Sequence, residues 1–169
     1  MDTGTLIFGL DFTRNRLLGT LDTIEKVARE KGQDIGRVLG WRPGVGRAHI
    51  GWQAMHCAAT HDKYLNVALL GKTPKDEGLV KNFGGGSTPS DGNVPSLEAI
   101  RGTLADRYGA LKQYVAGLDA AGLARVVVGS GGVQRSVGES IALLAWHEGH
   151  HQGQIHLTWN LYKAAHQIG

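Results

Sequence analysis

The sequence predicts an all-α protein, a four-helix bundle. Three observations predict it: four segments carry apolar residues at spacings of three and four, capping and stopping residues stand at their ends, and nothing pairs with the single strand-like run. The length, 169 residues, suits one hydrophobic core, so residues 1–169 are expected to form a single domain.

The first helix is expected over roughly Leu10 to Lys31, with Leu17, Leu18, Leu21, Ile24 and Val27 on one stripe. Charged Arg14, Arg16, Glu25 and Lys26 fall on its other faces, and Gly32 stops it. Arg42-Pro43-Gly44-Val45-Gly46 is a turn-rich entry to the second helix, about His49 to Leu70. A long segment, Gly71 to Val94, follows, and its length marks a lid, a binding loop or a mobile stretch. The third helix starts at an N-cap, Ser96, and runs to Gly122. Arg125-Val126-Val127-Val128-Gly129 has strand-like composition but no partner, and is read as an extended connection. The fourth helix opens at Ser136, where Glu139 completes an S-x-x-E capping box, and continues to about His166.

Hydrophobic residues at 41% and charged residues at 20% are those of an ordinary folded protein, neither disordered nor membrane-embedded. The net charge of +3 is small and spread along the chain, so no basic stripe follows phosphates and nucleic-acid binding is not expected. The longest apolar stretches, such as Ile141 to Trp146, fall far short of the ~20 residues that span a bilayer. A lone cysteine, Cys57, makes no intramolecular disulfide, and the start lacks the pattern of a secretory signal. Both features lead to the expectation of a cytoplasmic protein. Two nucleotide-like fragments are turns. Gly71-Lys72-Thr73 has Asn66 where a P-loop needs its first glycine, and Gly129-Ser130-Gly131-Gly132 has Gln134 where a dinucleotide fingerprint needs its third.

The chain has 8 histidines, four of them, His147, His150, His151 and His156, in the last helix. His147 and His151 are one turn apart, with Cβ atoms about 5–6 Å from each other, close enough to share one metal ion. Leu144 and Ile155 share their face, so the pair points into the bundle. Two buried imidazoles without partners would cost a few kcal/mol each, and a metal satisfies them directly. The second helix offers His49, His56 and His61 as a third ligand, and periodicity does not choose among them. His61 shares a stripe with Ile50, Ala54, Cys57 and Tyr64; His56 shares one with Trp52, Gln53 and Thr60. His49, at the helix entrance, is better placed to cap the first turn.

His147-Glu148-Gly149-His150-His151 also matches the H-E-x-x-H of zinc proteases. Its surroundings do not. Gln154 and Leu157 occupy the glycine and third-histidine positions of the metzincin pattern, and Glu148 is the last acidic residue of the chain.

Arg42-Pro43-Gly44, His49-Ile50-Gly51-Trp52-Gln53-Ala54-Met55-His56 and Trp146-His147-Glu148-Gly149-His150-His151-Gln152-Gly153-Gln154-Ile155 resemble the DinB/YfiT-like family (DinB superfamily), regarded as metalloenzymes. The resemblance spans nearly the whole chain, and the H-x-x-x-H-x-G-Q stretch is its specific part. It implies an up-down-down-up bundle with a long loop between the second and third helices, often dimeric, with one divalent metal ion per chain. Carried over by position, His56 becomes the ligand of the second helix, and His147 and His151 those of the fourth. His150 and His156 are expected beside the site or at the surface. Relatives include transferases and isomerases that use a low-molecular-weight thiol, such as bacillithiol, mycothiol or glutathione, and proteins described as hydrolases; the fold does not choose between them.

Three neutral imidazoles leave open positions on a metal, which marks a catalytic site and suits zinc or nickel, with iron or manganese as alternatives. A thiol there would be held as thiolate; water would be acidified and could attack an ester or amide, with Glu148 as base if it turns toward the metal. Glu148 is placed rather at the surface or beside the site. The expected activity is thus thiol transfer to small electrophiles, the alternatives being a hydrolase or a metal-binding, stress-associated protein without turnover. A small-molecule substrate and a homodimer are the expected partners. Cys57 is assigned to core packing, and Trp52, Trp146, Trp159, Tyr64 and Tyr162 to the core rather than to a pocket lining.

Overall fold

A computed structural model describes residues 2–129 and 132–168. The first helix, α1, spans Thr3–Glu30 and begins before Leu10, because Asp2 caps it by accepting from the Thr5 amide at 2.8 Å, and Leu6 extends the buried stripe. Gly32, at φ +63°, ends the run as expected. A short helix absent from the sequence reading, α2 (Ile35–Gly40), follows an Asp34 cap.

The second predicted helix is α3 (Ile50–Asp62), continued by a π-helical segment, Lys63–Leu69. His49 caps α3, its ring accepting from the Trp52 amide at 3.0 Å. Gly71, at φ +65°, closes the run. The expected loop contains a helix, α4 (Glu77–Phe83), capped by Asp76. The third predicted helix breaks in two: α5 (Leu97–Ala116) ends at Gly117, and Asp119 starts α6 (Ala120–Ala124).

The strand-like valines do find a partner, which corrects the expectation of an unpaired connection. β1 (Val126–Val128) pairs antiparallel with β2 (Gln134–Ser136), Val127 opposite Arg135. Ser130 and Gly131, in the glycine-rich fragment between them, lie outside the described residues. The last helix, α7 (Val137–Ala165), carries the predicted capping box between Ser136 and Glu139.

Four long helices pack around the core. α1 lies against α7 and α5, and α3 against the same two. Paired residues give their directions. Arg14 meets Glu148 and Thr20 meets Gln152, so α1 and α7 run parallel. Asp11 meets Lys112 and Asp22 meets Arg101, so α1 and α5 oppose; His56 meets His147 and Gln53 meets Thr158, so α3 and α7 oppose.

The core divides into two apolar clusters, one around Leu17, Leu21, Ala54, Leu104 and Ile155, the other around Leu10, Tyr64, Leu111, Ile141 and Leu144. At the level where they meet, every long helix contributes a buried polar residue: Arg14, His61 and Asp62, Arg107, and Glu148. Among the described residues no helix is long and apolar enough to cross a membrane.

Candidate metal centre

α3 and α7 bring His56, His147 and His151 together, with one ring nitrogen from each lying within 4.8 Å of the others. The ring centres stand 5.0 Å (His56 to His147), 4.7 Å (His56 to His151) and 4.6 Å (His147 to His151) apart. The i,i+4 spacing on α7 sets two of the rings side by side on one face, edge to face, and the antiparallel neighbour α3 presents the third opposite them.

The environment of His56 sets its tautomer. Its Nδ1 lies 2.6 Å from the Phe83 carbonyl at the end of α4. A carbonyl only accepts, so Nδ1 carries the proton and Nε2 keeps a free lone pair. That lone pair faces His147 Nε2 at 3.1 Å. Two nitrogens bound to one ion at ~2.1 Å stand roughly 3.0–3.4 Å apart at octahedral to tetrahedral angles, so the spacing is that of co-ligands. On the far side of their rings, His147 Nδ1 and His151 Nδ1 are buried without a hydrogen-bond partner among the described residues. Among the described residues the facing His56 and His147 Nε2 atoms have only each other as hydrogen-bond partners, and a divalent cation fits between them.

The electrostatics favour the form a metal needs. Burial, then the neighbouring imidazoles, holds His147 down to about 4 and His151 to about 3, and burial lowers His56 despite its carbonyl partner. All three rings are neutral at pH 7, with lone pairs available.

The surroundings correct several expectations. Trp52 is half-buried and stacks on His56 at 4.7 Å with ring planes 8° apart, which holds the ligand ring flat. Trp146 is not a core residue: it is 62% exposed and stacks on His150, whose ring lies 5.2 Å from His151. His150 and His156 are exposed and outside the cluster, as expected. Cys57 is fully buried, as expected, and burial pushes its thiol well above the ordinary range. Trp159, Tyr64 and Tyr162 lie in the core.

Glu148 is not a surface carboxylate. It is 1% exposed, and Arg14 donates to it twice, Nε to Oε1 at 2.6 Å and Nη2 to Oε2 at 2.9 Å. Burial pushes its carboxyl up, and the Arg14 charge opposes that shift. Arg14, expected on a solvated face, is 4% exposed and points inward. Its position, four residues after Leu10 and three before Leu17, is on the apolar stripe, and that spacing was the available signal. His61 is buried beside the pair rather than in the histidine cluster, its Nε2 3.3 Å from Glu148 Oε2.

Comparison with known proteins adds one match. The family model for the DinB superfamily matches residues 10–155, a span that includes all three clustered histidines. No curated protein matches the chain. With that match over most of its length, the chain belongs to the DinB superfamily.

Proposed function

We propose that this protein is a divalent-metal-dependent enzyme that transfers a low-molecular-weight thiol to a small electrophile, with His56, His147 and His151 holding the metal. The observation that carries the reading is the convergence of three neutral imidazoles, the Nε2 atoms of His56 and His147 facing each other at 3.1 Å, with no carboxylate among them. When bound, a zinc or nickel ion in such a neutral ligand set supplies the positive charge that lowers the pKa of an entering thiol.

The protein's own groups prepare that site. Phe83 fixes the His56 tautomer, Trp52 covers its ring, and burial keeps the imidazoles unprotonated. The alternative, hydrolysis of esters or amides, needs a base beside the metal. Glu148, the carboxylate next in sequence, has both oxygens engaged by Arg14, which favours thiol transfer. The helix directions support an up-down-down-up bundle. Exposed Phe8 and Phe12 on α1, with Trp146, Leu157 and Leu161 on α7, support the homodimer that the family resemblance implies.

Elemental analysis and a thiol panel test the reading. The parent should carry close to one divalent ion per chain and, with a chromogenic electrophile, show a metal-dependent rate with at least one of bacillithiol, mycothiol or glutathione. His56→Ala, His147→Ala and His151→Ala should each lose most of the metal and the rate, whereas His150→Ala and His156→Ala should keep the metal. A metal-loaded parent that uses no thiol, and hydrolyses esters in a His147-dependent way, would replace thiol transfer by hydrolysis.

A further inference from the structure

The buried Arg14–Glu148 pair has no part in holding a metal in the reading above, and the helix interior offers it little net stability. Two desolvated charges in a core are commonly no better than apolar residues of the same volume. The placement of the pair suggests another use.

Glu148 follows His147 directly on α7 and lies three residues before His151, so its side chain stands about 100° from one ligand and about 60° from the other around the helix axis. Whatever holds Glu148 holds the rotation of both rings. Arg14 holds it with two parallel N–H bonds, at 2.6 and 2.9 Å. Arg14 is itself fixed on its other sides: Nη1 donates to the Leu104 carbonyl of α5 at 2.7 Å, and the guanidinium sits 4.7 Å over the Tyr108 ring. Tyr108 is anchored in turn by donating to Asp11, one turn before Arg14 on α1. Nη2 also lies 3.4 Å from His61 Nδ1, and since arginine only donates, Nδ1 accepts and the His61 Nε2–H is turned toward Glu148.

Among the described residues, the other directional contact of α7 with α1 near this level is a single bond, Gln152 Nε2 donating to Thr20 Oγ1 at 2.9 Å. A Gly149 Cβ would meet only a Thr13 methyl, and Leu144 and Ile155 pack in apolar clusters, whose attraction has no preferred direction. A ring nitrogen about 5–6 Å from the helix axis moves roughly 2 Å when the helix turns by ~20°. Metal–ligand distances tolerate about 0.2 Å. Non-directional packing and a single hydrogen bond set the orientation of the rings less tightly than a two-point fork does.

We propose that Arg14, acting through Glu148, is a positioning residue for the three-histidine centre: it locks the rotation of α7 so that His147 and His151 both address His56. This rests on the metal-binding reading above and assigns Glu148 the role of a lever instead of a base.

The test separates positioning from folding by replacing the pair with apolar residues. In Arg14→Met/Glu148→Leu the melting temperature should be equal to the parent's or higher. Zinc affinity should fall about tenfold or more, and the visible absorption of the cobalt(II)-loaded protein should change. In the metal-free variant, the ring-proton cross-peaks between His56 and His147 should weaken. Arg14→Lys, which keeps the charge but loses the fork, should bind with intermediate affinity, and it serves as the test if the double variant does not fold. A folded variant that binds zinc as tightly as the parent with an unchanged cobalt spectrum would overturn the positioning role. If the parent itself binds neither zinc nor cobalt, the metal-centre reading fails, and the positioning role goes with it.

Discussion

Cys57 has no exposed surface, lies on α3 one residue from a proposed ligand, and has a thiol that burial pushes well above its ordinary range. A thiol in that state is inert, since the thiolate is the reacting form. Titration of the native protein with an aromatic disulfide reagent should therefore show almost no reaction, and one equivalent should appear on adding denaturant. Fast reaction in the native state would contradict the burial. Cys57 is the chain's only cysteine, so any thiol used in catalysis has to come from outside. The same burial that silences Cys57 keeps the neighbouring imidazoles neutral: one physical cause disarms a sulfur and prepares three nitrogens.

The role of α4 is disproportionate to its length. Its last residue, Phe83, turns a carbonyl onto His56, and the chain leaves through Gly84, whose amide donates to Val80 at 2.8 Å. A Cβ at Gly84 would collide with the Val80 carbonyl oxygen, which belongs to the backbone and cannot swing away. Gly84→Ala should thus cost about 1–3 kcal/mol, read as a lower urea midpoint. It should also weaken zinc binding more than a distant substitution of equal cost, because the Phe83 carbonyl moves with the turn. Equal zinc affinity in a destabilised variant would separate the turn from the site.

Across the molecule, proton uptake links the site to acid stability. Burial lowers His49, His56 and His61, and holds His147 to about 4 and His151 to about 3. Below the ordinary histidine value near 6.5, the unfolded chain takes up protons that the native one refuses. Stability is then lost as pH falls from about 6.5 toward 4 and is flat in these groups above 7. Glu148, pushed up by burial, acts with the opposite sign just above the ordinary carboxyl value, as one group against five. The metal-free protein should lose several degrees of melting temperature between pH 7 and pH 5, whereas bound metal should be displaced from the folded protein only as pH falls toward about 4, where protons begin to compete for the His147 nitrogens. A melting temperature that rises on acidification would show that the imidazoles are charged in the folded state.

Much of this was readable along the chain, for local reasons. The ends of the helices are set by side chains within a turn of them: Ser96, the Ser136–Glu139 box, His49 as a cap, Gly32 and Gly71 as stops. The His147–His151 pair follows from helical spacing alone. Where residues distant in sequence decide, spacing is silent. His56 and His61 could not be told apart because α3 is buried on nearly every side, with 11 of its 13 residues out of solvent, so it has no apolar stripe to mark a facing direction. The family resemblance singled out His56; its ring is turned toward α7 by Phe83 and Trp52, and His61 is turned toward Arg14 and Glu148. Arg14 read as a surface charge, and Glu148 as a carboxylate at the surface or beside the site, because a charge is normally solvated. Each is buried only because the other, from the opposite end of the chain, is there to pair with it, and that meeting exists only once α1 and α7 have packed side by side.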